Sequence, residues 1–328
     1  MPEPALLLAL VMVILLTAYV VLGGADYGGG VWDLLATGKT AASQRTTIAR
    51  AIAPVWEANH VWLIIVVTIL FTAFPAAFAR LSIALHIPLA LALLGIVLRG
   101  SAFIFRAYGP MSQRDKRGLE WVFAAASAFT PLLLGMVVGA VTEGRLVPDT
   151  IDAAPFRELY VNPWLTPFAV AVGVFALVLF SYLAAVYLTL EARDKATADA
   201  FRRRALASAG VTGVMALVVF LLAGNVPRSL PLHLATGAAA IAVVVLLWRR
   251  HFWWARTAAI VQVSLIVWGW ALSQSPYLIR PDLTFEMAAA PRHVLVLLLR
   301  ILAAGAIVLL PSLFYLFHVF GPYEKRSR

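Results

Sequence analysis

One run concentrates the groups that could do chemistry: Ile52-Ala53-Pro54-Val55-Trp56-Glu57-Ala58-Asn59-His60-Val61-Trp62. It places a carboxylate, an amide, an imidazole and two indoles at the mouth of a long apolar stretch. Just before it, Gly23-Gly24-Ala25-Asp26-Tyr27-Gly28-Gly29-Gly30 sets another carboxylate at the close of an earlier apolar stretch. Arg99 interrupts a third. Ionisable groups in or beside hydrocarbon are costly, so they mark pairing, proton transfer or ligand contact. Glu57 and His60 stand three apart and share a face on a helix. Trp56 and Trp62, six apart, do not share one, and packing is the simpler reading of each.

The elements that must position these groups are membrane helices. The chain is 62% hydrophobic and only 13% charged, against about 25% charged for a soluble domain. Apolar runs of helix-spanning length recur from end to end, at 5–24, 55–74, 81–105, 119–142, 164–190, 205–224, 230–248, 252–272 and 293–318. The expected fold is an all-α integral membrane protein with nine transmembrane helices, in a single polytopic domain over 1–328. Met1-Pro2-Glu3-Pro4 has no basic region of the signal-peptide kind, so the first span is expected to stay in the mature protein. The chain has no cysteine, which excludes disulfides, thiolate metal sites and cysteine nucleophiles.

A net charge of +10 could point to nucleic acid, but its distribution points to topology. Of 26 lysines and arginines, 18 fall in one set of alternate loops and six in the other; Arg99 and Arg300 lie inside spans. The positive-inside rule then puts the N-terminus outside and the C-terminus in the cytoplasm, as in a bacterial-type inner membrane. No nucleic-acid partner is expected.

Along the chain, Gly28-Gly29-Gly30 either lets neighbouring helices approach or lets the first helix break. Residues 39–53 read as an amphipathic surface helix, with Ile48 and Ile52 on one side and Arg45 and Arg50 as anchors. Ala25–Leu35 lines up with Phe180–Leu190 at an offset of 155, Tyr27 over Tyr182 and small residues over small residues, and a basic stretch follows each copy. This predicts an internal repeat, 1–142 and 164–272, as two four-helix bundles with a peripheral ninth helix at 293–318. Ser181 stands where Asp26 does, so chemistry is expected in the first half. Trp248, Trp253, Trp254, Trp268 and Trp270 read as interfacial belts and packing.

Depth brings three charges together. Asp26 falls at the inner end of span one, Glu57 in the first turn of span two, and Arg99 near the inner end of span three. A buried guanidinium needs a partner, and Asp26 and Glu57 are the candidates. Two readings stand together: a proton-loading site, or an ion pair that locks three helices. His60 and His86 are formally eligible as haem ligands, although a hydrogen-bonded histidine is the simpler reading of each. The Glu-x-x-His pattern of di-iron bundles needs further acids that the remaining spans lack. Arg300 is expected to meet Glu286, Asp282 or an acid on a partner.

Residues 52–64 resemble the hallmark of subunit II of cytochrome bd-type quinol oxidases, Ile-x-Pro-x-Trp-(acid)-Gly-Asn-x-x-Trp-Leu. The resemblance extends to Gly24-Ala25-Asp26-Tyr27-Gly28-Gly29-Gly30, Phe74-Pro75 with Phe78-Ala79, Leu98-Arg99-Gly100 with Phe103 and Arg106, Gly135 to Gly144, and Pro276-Tyr277-Leu278 with Pro311. It is dense over residues 20–145 and thin afterwards. It implies a heterodimeric terminal oxidase whose haems b and d and quinol site belong to subunit I. This chain would ligate no haem, stabilise subunit I, and in some relatives hold a structural quinone; small accessory subunits and membrane lipids are further partners. By the same resemblance Asp26, Glu57 and Arg99 would form a proton pathway, while Trp56, Asn59 and Trp62 would pack toward the haems and line an oxygen approach. Ile104 stands where many relatives have an acid and Ala58 replaces the usual glycine, so the proton path is expected to differ. The competing readings are a transporter or channel with a binding site at a glycine break beside Asp26, and a structural subunit of another respiratory assembly.

Overall fold

The structure is a computed structural model that describes residues 3–52, 56–108, 113–146, 155–224 and 229–320; the side chains of Glu57, 107–108, 113–116, 317, 318 and 320 stand outside the described set. It is built of helices. The first span comprises α1 (Pro4–Ala18), a wide π-type turn at Tyr19–Gly23 and α2 (Gly24–Leu34). A surface helix, α3 (Ala41–Ile52), follows, then α4 (Trp56–Ala73), α5 (Pro75–Ala84), α6 (His86–Tyr108) and α7 (Gln113–Glu143). The second half holds α8 (Phe156–Tyr160), α9 (Pro167–Glu191), α10 (Lys195–Leu222), α11 (Leu230–Trp248) and α12 (Phe252–Gln274). A short antiparallel pair, β1 (Tyr277–Ile279) and β2 (Leu283–Thr284), and α13 (Phe285–Ala288) lead to α14 (Arg292–Phe320).

Among the described residues, eight helices are long and apolar enough to span, and the bent pair α4–α5 makes a ninth. The all-α membrane expectation therefore holds, with eight spans and a ninth where the bent pair is counted as one, and with two corrections. The first concerns span one, expected to end at residue 24. It runs unbroken to Leu34, straight through Gly28-Gly29-Gly30. A glycine inside a helix costs about 1 kcal/mol relative to alanine, and here close approach offsets it. A β-carbon on Gly28 would collide with the Phe180 carbonyl of α9, and one on Gly30 with Ser127 of α7.

The second correction concerns span three, expected at 81–105. The chain bends by 116° between α4 and α5, and α6 starts only at His86. Pro75 occupies the first turn of α5, where its missing N–H leaves no vacancy, and Phe74 before it leaves the helical region at φ −133°, ψ 59°. Hydropathy alone runs smoothly across this corner, which is why it reads as one span.

The centre of the molecule is α9, which packs against α2, α7, α10 and α12. In the first half α6 lies on α7 and α4 on α1; in the second α11 lies on α12, and α14 covers α1 and α4 from outside. As expected, α3 buries Ile48 and Ile52 and exposes Arg45. The basic stretch of the second half does not form such a separate helix; Lys195 to Arg204 are the opening turns of α10 itself.

Loops gather at two ends. At the basic end, Arg50 donates to the Glu191 carbonyl at 2.7 Å and Arg204 to the Leu35 carbonyl at 2.6 Å. At the opposite end, Arg80 pairs with Asp282 at 2.8 Å and Trp270 donates to Thr142 at 2.7 Å.

The glycine contacts make a stability prediction. Gly28→Val should lower the stability of the detergent-solubilised protein by ~1–3 kcal/mol or more through overpacking, read as a fall in thermal midpoint. Gly210→Ala, where an added β-carbon meets nothing within 4 Å, is the control and should not lower it.

Candidate functional site

Asp26 and Arg99 are the deepest charges in the described chain. The side chain of Asp26 is fully buried and that of Arg99 is 1% exposed, and Arg99 Nη2 meets Asp26 Oδ1 at 2.5 Å. The same nitrogen also donates to the Asp26 carbonyl at 3.3 Å, and Arg99 Nε donates to Ser127 Oγ at 3.1 Å. The guanidinium lies 4.9 Å from the centre of the Tyr27 ring and 5.1 Å from that of Phe123. Elements α2, α6 and α7 thus close on one cation. Ser127 can reach it because Gly30 leaves room for the serine.

This pair lies deeper than sequence reasoning placed it. Asp26 precedes the end of α2 by eight residues and Arg99 precedes the end of α6 by nine. At 1.5 Å per residue each is about 12–13 Å from its helix end. The shared depth expected for the two charges holds, but not the edge position.

A second pair was not foreseen. Arg106 Nη1 meets Asp33 Oδ2 at 2.5 Å, with Asp33 buried. Both pairs join residues 73 positions apart, so α2 and α6 carry parallel rungs seven residues, or about 10 Å, apart. Phe123 stands between the rungs, 5.1 Å from the Arg99 guanidinium and 5.2 Å from that of Arg106. The signal was present in the sequence, because Asp26/Asp33 and Arg99/Arg106 share one spacing. Beyond Asp33, a cavity of ≈ 330 Å³ opens at the basic end, lined by Asp33, Arg45, Arg117 and Glu120.

The other expected site residues are sorted by α4. Asn59 is buried and donates to the Leu22 carbonyl at 3.4 Å. His60 lies with its ring centre 6.5 Å from that of Tyr19 and 6.3 Å from that of Tyr27. Trp62 packs on the Tyr19–Tyr27–Phe180 cluster. Trp56 faces the other way, 5.9 Å from Phe103 and against Gly100. Between α4 and α6 a lateral groove of ≈ 390 Å³ is lined by Trp56, His60, Gly100, Ser101 and Ile104. Glu57 lies on α4, but its side chain is outside the described residues.

His86 is not brought to this site. It stands exposed at the opposite end of α6, its Nδ1 2.9 Å from the Ile83 carbonyl and its ring edge-on to Tyr160. Arg300 is exposed on α14, and one of its expected partners, Asp282, is taken by Arg80. Among the described residues no three His, Cys, Asp or Glu side chains gather as a metal site.

An all-α integral membrane protein, with ion pairs buried on glycine-packed helices of its first half, is the class that this architecture defines. The chain belongs to the cytochrome bd terminal oxidase subunit II family, whose model matches residues 4–320. It is 28% identical over 216 residues to cytochrome bd-I ubiquinol oxidase subunit 2 of Escherichia coli K12, covering 64% of this chain and 54% of that protein. It is 27% identical over 182 residues to cytochrome bd ubiquinol oxidase subunit 2 of Bacillus subtilis, covering 55% and 52%. The chain thus spans about half the length of these curated relatives. A chain of the bd oxidase from Geobacillus thermodenitrificans shares the fold, with a TM-score of 0.77 at 24% identity over 97% of this chain and 98% of that one.

The first pair can be weighed by a double-mutant cycle. Arg99→Leu or Asp26→Leu alone strands a buried charge and should cost ~3–5 kcal/mol, while the double variant should lose much less than the sum. Denaturation midpoints of the three variants would show it; additive losses would mean that the two side chains do not act as a pair.

Proposed function

We propose that the chain serves as the subunit of a bd-type quinol:oxygen oxidoreductase that ligates no haem, steadies the haem-bearing subunit I, and carries a proton route. The observation that carries the proton role is Asp26 itself. Its Oδ2 is buried without a hydrogen-bond partner while Oδ1 holds Arg99. A pair serving only as a lock would gain by satisfying both oxygens; Asp33 Oδ1 is free as well, and Asp26 differs in being paired to an arginine sealed from solvent. A free buried carboxylate oxygen is instead a place for a proton or a water to arrive.

Asp26, Arg99 and, from its place on α4, Glu57 form that route in this reading. Trp56 and Asn59 supply its apolar and amide walls, and Trp62 borders the oxygen approach. Haems b and d belong to the partner. The histidines here suit no shared axial pair: His60 sits between two tyrosines and the groove, and His86 stands at the far end of α6. The basic end faces the cytoplasm of a bacterial-type inner membrane by the positive-inside rule. The transporter reading required a helix broken at Gly28–Gly30, and that helix is continuous.

Purified alone, the chain should show no haem absorbance; co-expressed with a subunit-I-type partner, it should be required for a haem-loaded oxidase. Stoichiometric haem on the isolated chain, lost on replacing His60 or His86, would overturn this. In the assembled complex, Asp26→Asn and Glu57→Gln should each slow oxygen consumption about 100-fold or more, the scale of a lost acid–base group, with haem content unchanged. If both variants only abolish assembly, the ion pair is a lock and the proton role falls.

A further inference from the structure

The rungs leave Asp26 a restricted set of exits. Toward the basic end the Phe123 ring lies against both guanidiniums and separates the Asp26 rung from the Asp33 rung. Within the span polar atoms remain unused, as Asp33 Oδ1 does at the second rung. Asp26 Oδ2, Asn59 Oδ1, His60 Nδ1 and Thr130 Oγ1 are all buried without a hydrogen-bond partner. They come from α2, α4 and α7. Thr130 Oγ1 lies against Gly95, one turn of α6 from Arg99. Each such orphan costs about 1–3 kcal/mol if it stays dry, and buried water typically satisfies groups of this kind with about three hydrogen bonds. His60 has two environments. Its Nδ1 is buried, and its ring also lines the lateral groove between α4 and α6. Its ring neighbours are Tyr19 and Tyr27; Tyr27 has the Arg99 guanidinium 4.9 Å from its ring centre, and Arg99 holds Asp26, while Glu57 stands one turn away on the same helix as His60. The rest of the groove wall, Ile96, Val97, Ile104 and Phe105, carries nothing that titrates.

We infer that His60 is a proton relay joining the buried Asp26 carboxylate, through ordered water, to the lateral α4–α6 groove. The inference rests on the proton-route reading and gives that route its direction, sideways out of the chain. In each passage a proton taken up at one ring nitrogen forms an imidazolium, and the other nitrogen gives up its proton to the groove. A turn of the ring restores the starting tautomer. No electron moves and no other reactant is consumed. His60 is a positioning and relay residue; it touches no substrate.

The test uses the complex assembled with its haem-bearing partner. His60→Ala should cut oxygen consumption by about 100-fold, the lower end for a positioned acid–base group, at unchanged haem content. Added imidazole should restore a large part of the rate, because the vacated side-chain space opens on a groove of ≈ 390 Å³. His60→Gln keeps size and hydrogen bonding but cannot carry the proton, so it should stay slow and gain nothing from imidazole. A wild-type rate in either variant, or a slow His60→Ala complex that imidazole does not rescue, overturns the relay. Should His60→Ala fail to assemble, His60→Gln decides alone: slow supports the relay, a wild-type rate overturns it. A wild-type complex that consumes no oxygen sinks the oxidase reading and the relay with it, whereas an active wild type with indifferent His60 variants sinks the relay only.

Discussion

A guanidinium that is 1% exposed inside a span must be paired, and the first half of this chain is arranged around that requirement at Arg99. Pairing it demands that three helices come closer than ordinary side chains permit. The glycines of α2 supply the approach. Gly30 admits Ser127, whose Oγ accepts a hydrogen bond from Arg99 Nε, and Gly28 lets the backbone of α9 settle on α2. The motif Gly-Ala-Asp-Tyr-Gly-Gly-Gly is therefore a single device. Its acid meets the cation and its glycines make the meeting possible. In hydrocarbon, where helices gain little hydrophobic drive toward one another, close packing and polar contacts are what hold them.

The second rung shows how the same helices treat a charge nearer the surface. Asp33 and Arg106 repeat the first pair two turns along, but Arg106 is 17% exposed and a cavity opens beside Asp33. Phe123 fills the interval, using its ring faces against both cations. The two pairs thus share a wall and differ in access. One is sealed in the membrane and the other looks onto the basic end. Equal spacing on parallel helices gives the ladder its register, since sliding α6 along α2 would break both rungs at once.

Much of this was legible in the residues. Spans follow from hydropathy, the surface helix α3 from the spacing of Ile48, Ile52, Arg45 and Arg50, and from shared depth the need of Arg99 for Asp26 or Glu57, of which Asp26 is the partner seen. What stayed hidden has physical causes. Glycine both breaks helices and lets them touch, so Gly28–Gly30 alone cannot say which, and the neighbour Phe180 lies about 150 residues away in sequence. The corner at Phe74-Pro75 falls inside a continuous apolar run, where a hydropathy window registers no change. Asp33 and Arg106 each look like solvated charges at a span end, and only their common spacing betrays them. His60 and His86 are alike as residue types. Their difference is positional, one turned toward two buried tyrosines and the other exposed beside Tyr160.

The two halves handle polarity differently at corresponding places. Tyr27 and Tyr182 are both fully buried on helices that pack against each other. Beside Tyr27 stands Asp26 with its cation. Beside Tyr182 stands Ser181, whose hydroxyl turns back to the Leu177 carbonyl of its own helix and whose carbonyl accepts from Trp32 at 2.6 Å. Tyr182 itself donates to Gln262 at 2.8 Å. On the reading that the halves repeat one unit, the second has kept the tyrosine and replaced each charge by a neutral bond that a membrane tolerates at little cost. Such a network can hold helices, but it has no group that gains or loses a proton readily. A carboxylate kept at the cost of burying an arginine beside it is more than packing requires, because α9 packs its own buried tyrosine without one. The proposed proton route is what gives such a carboxylate its place.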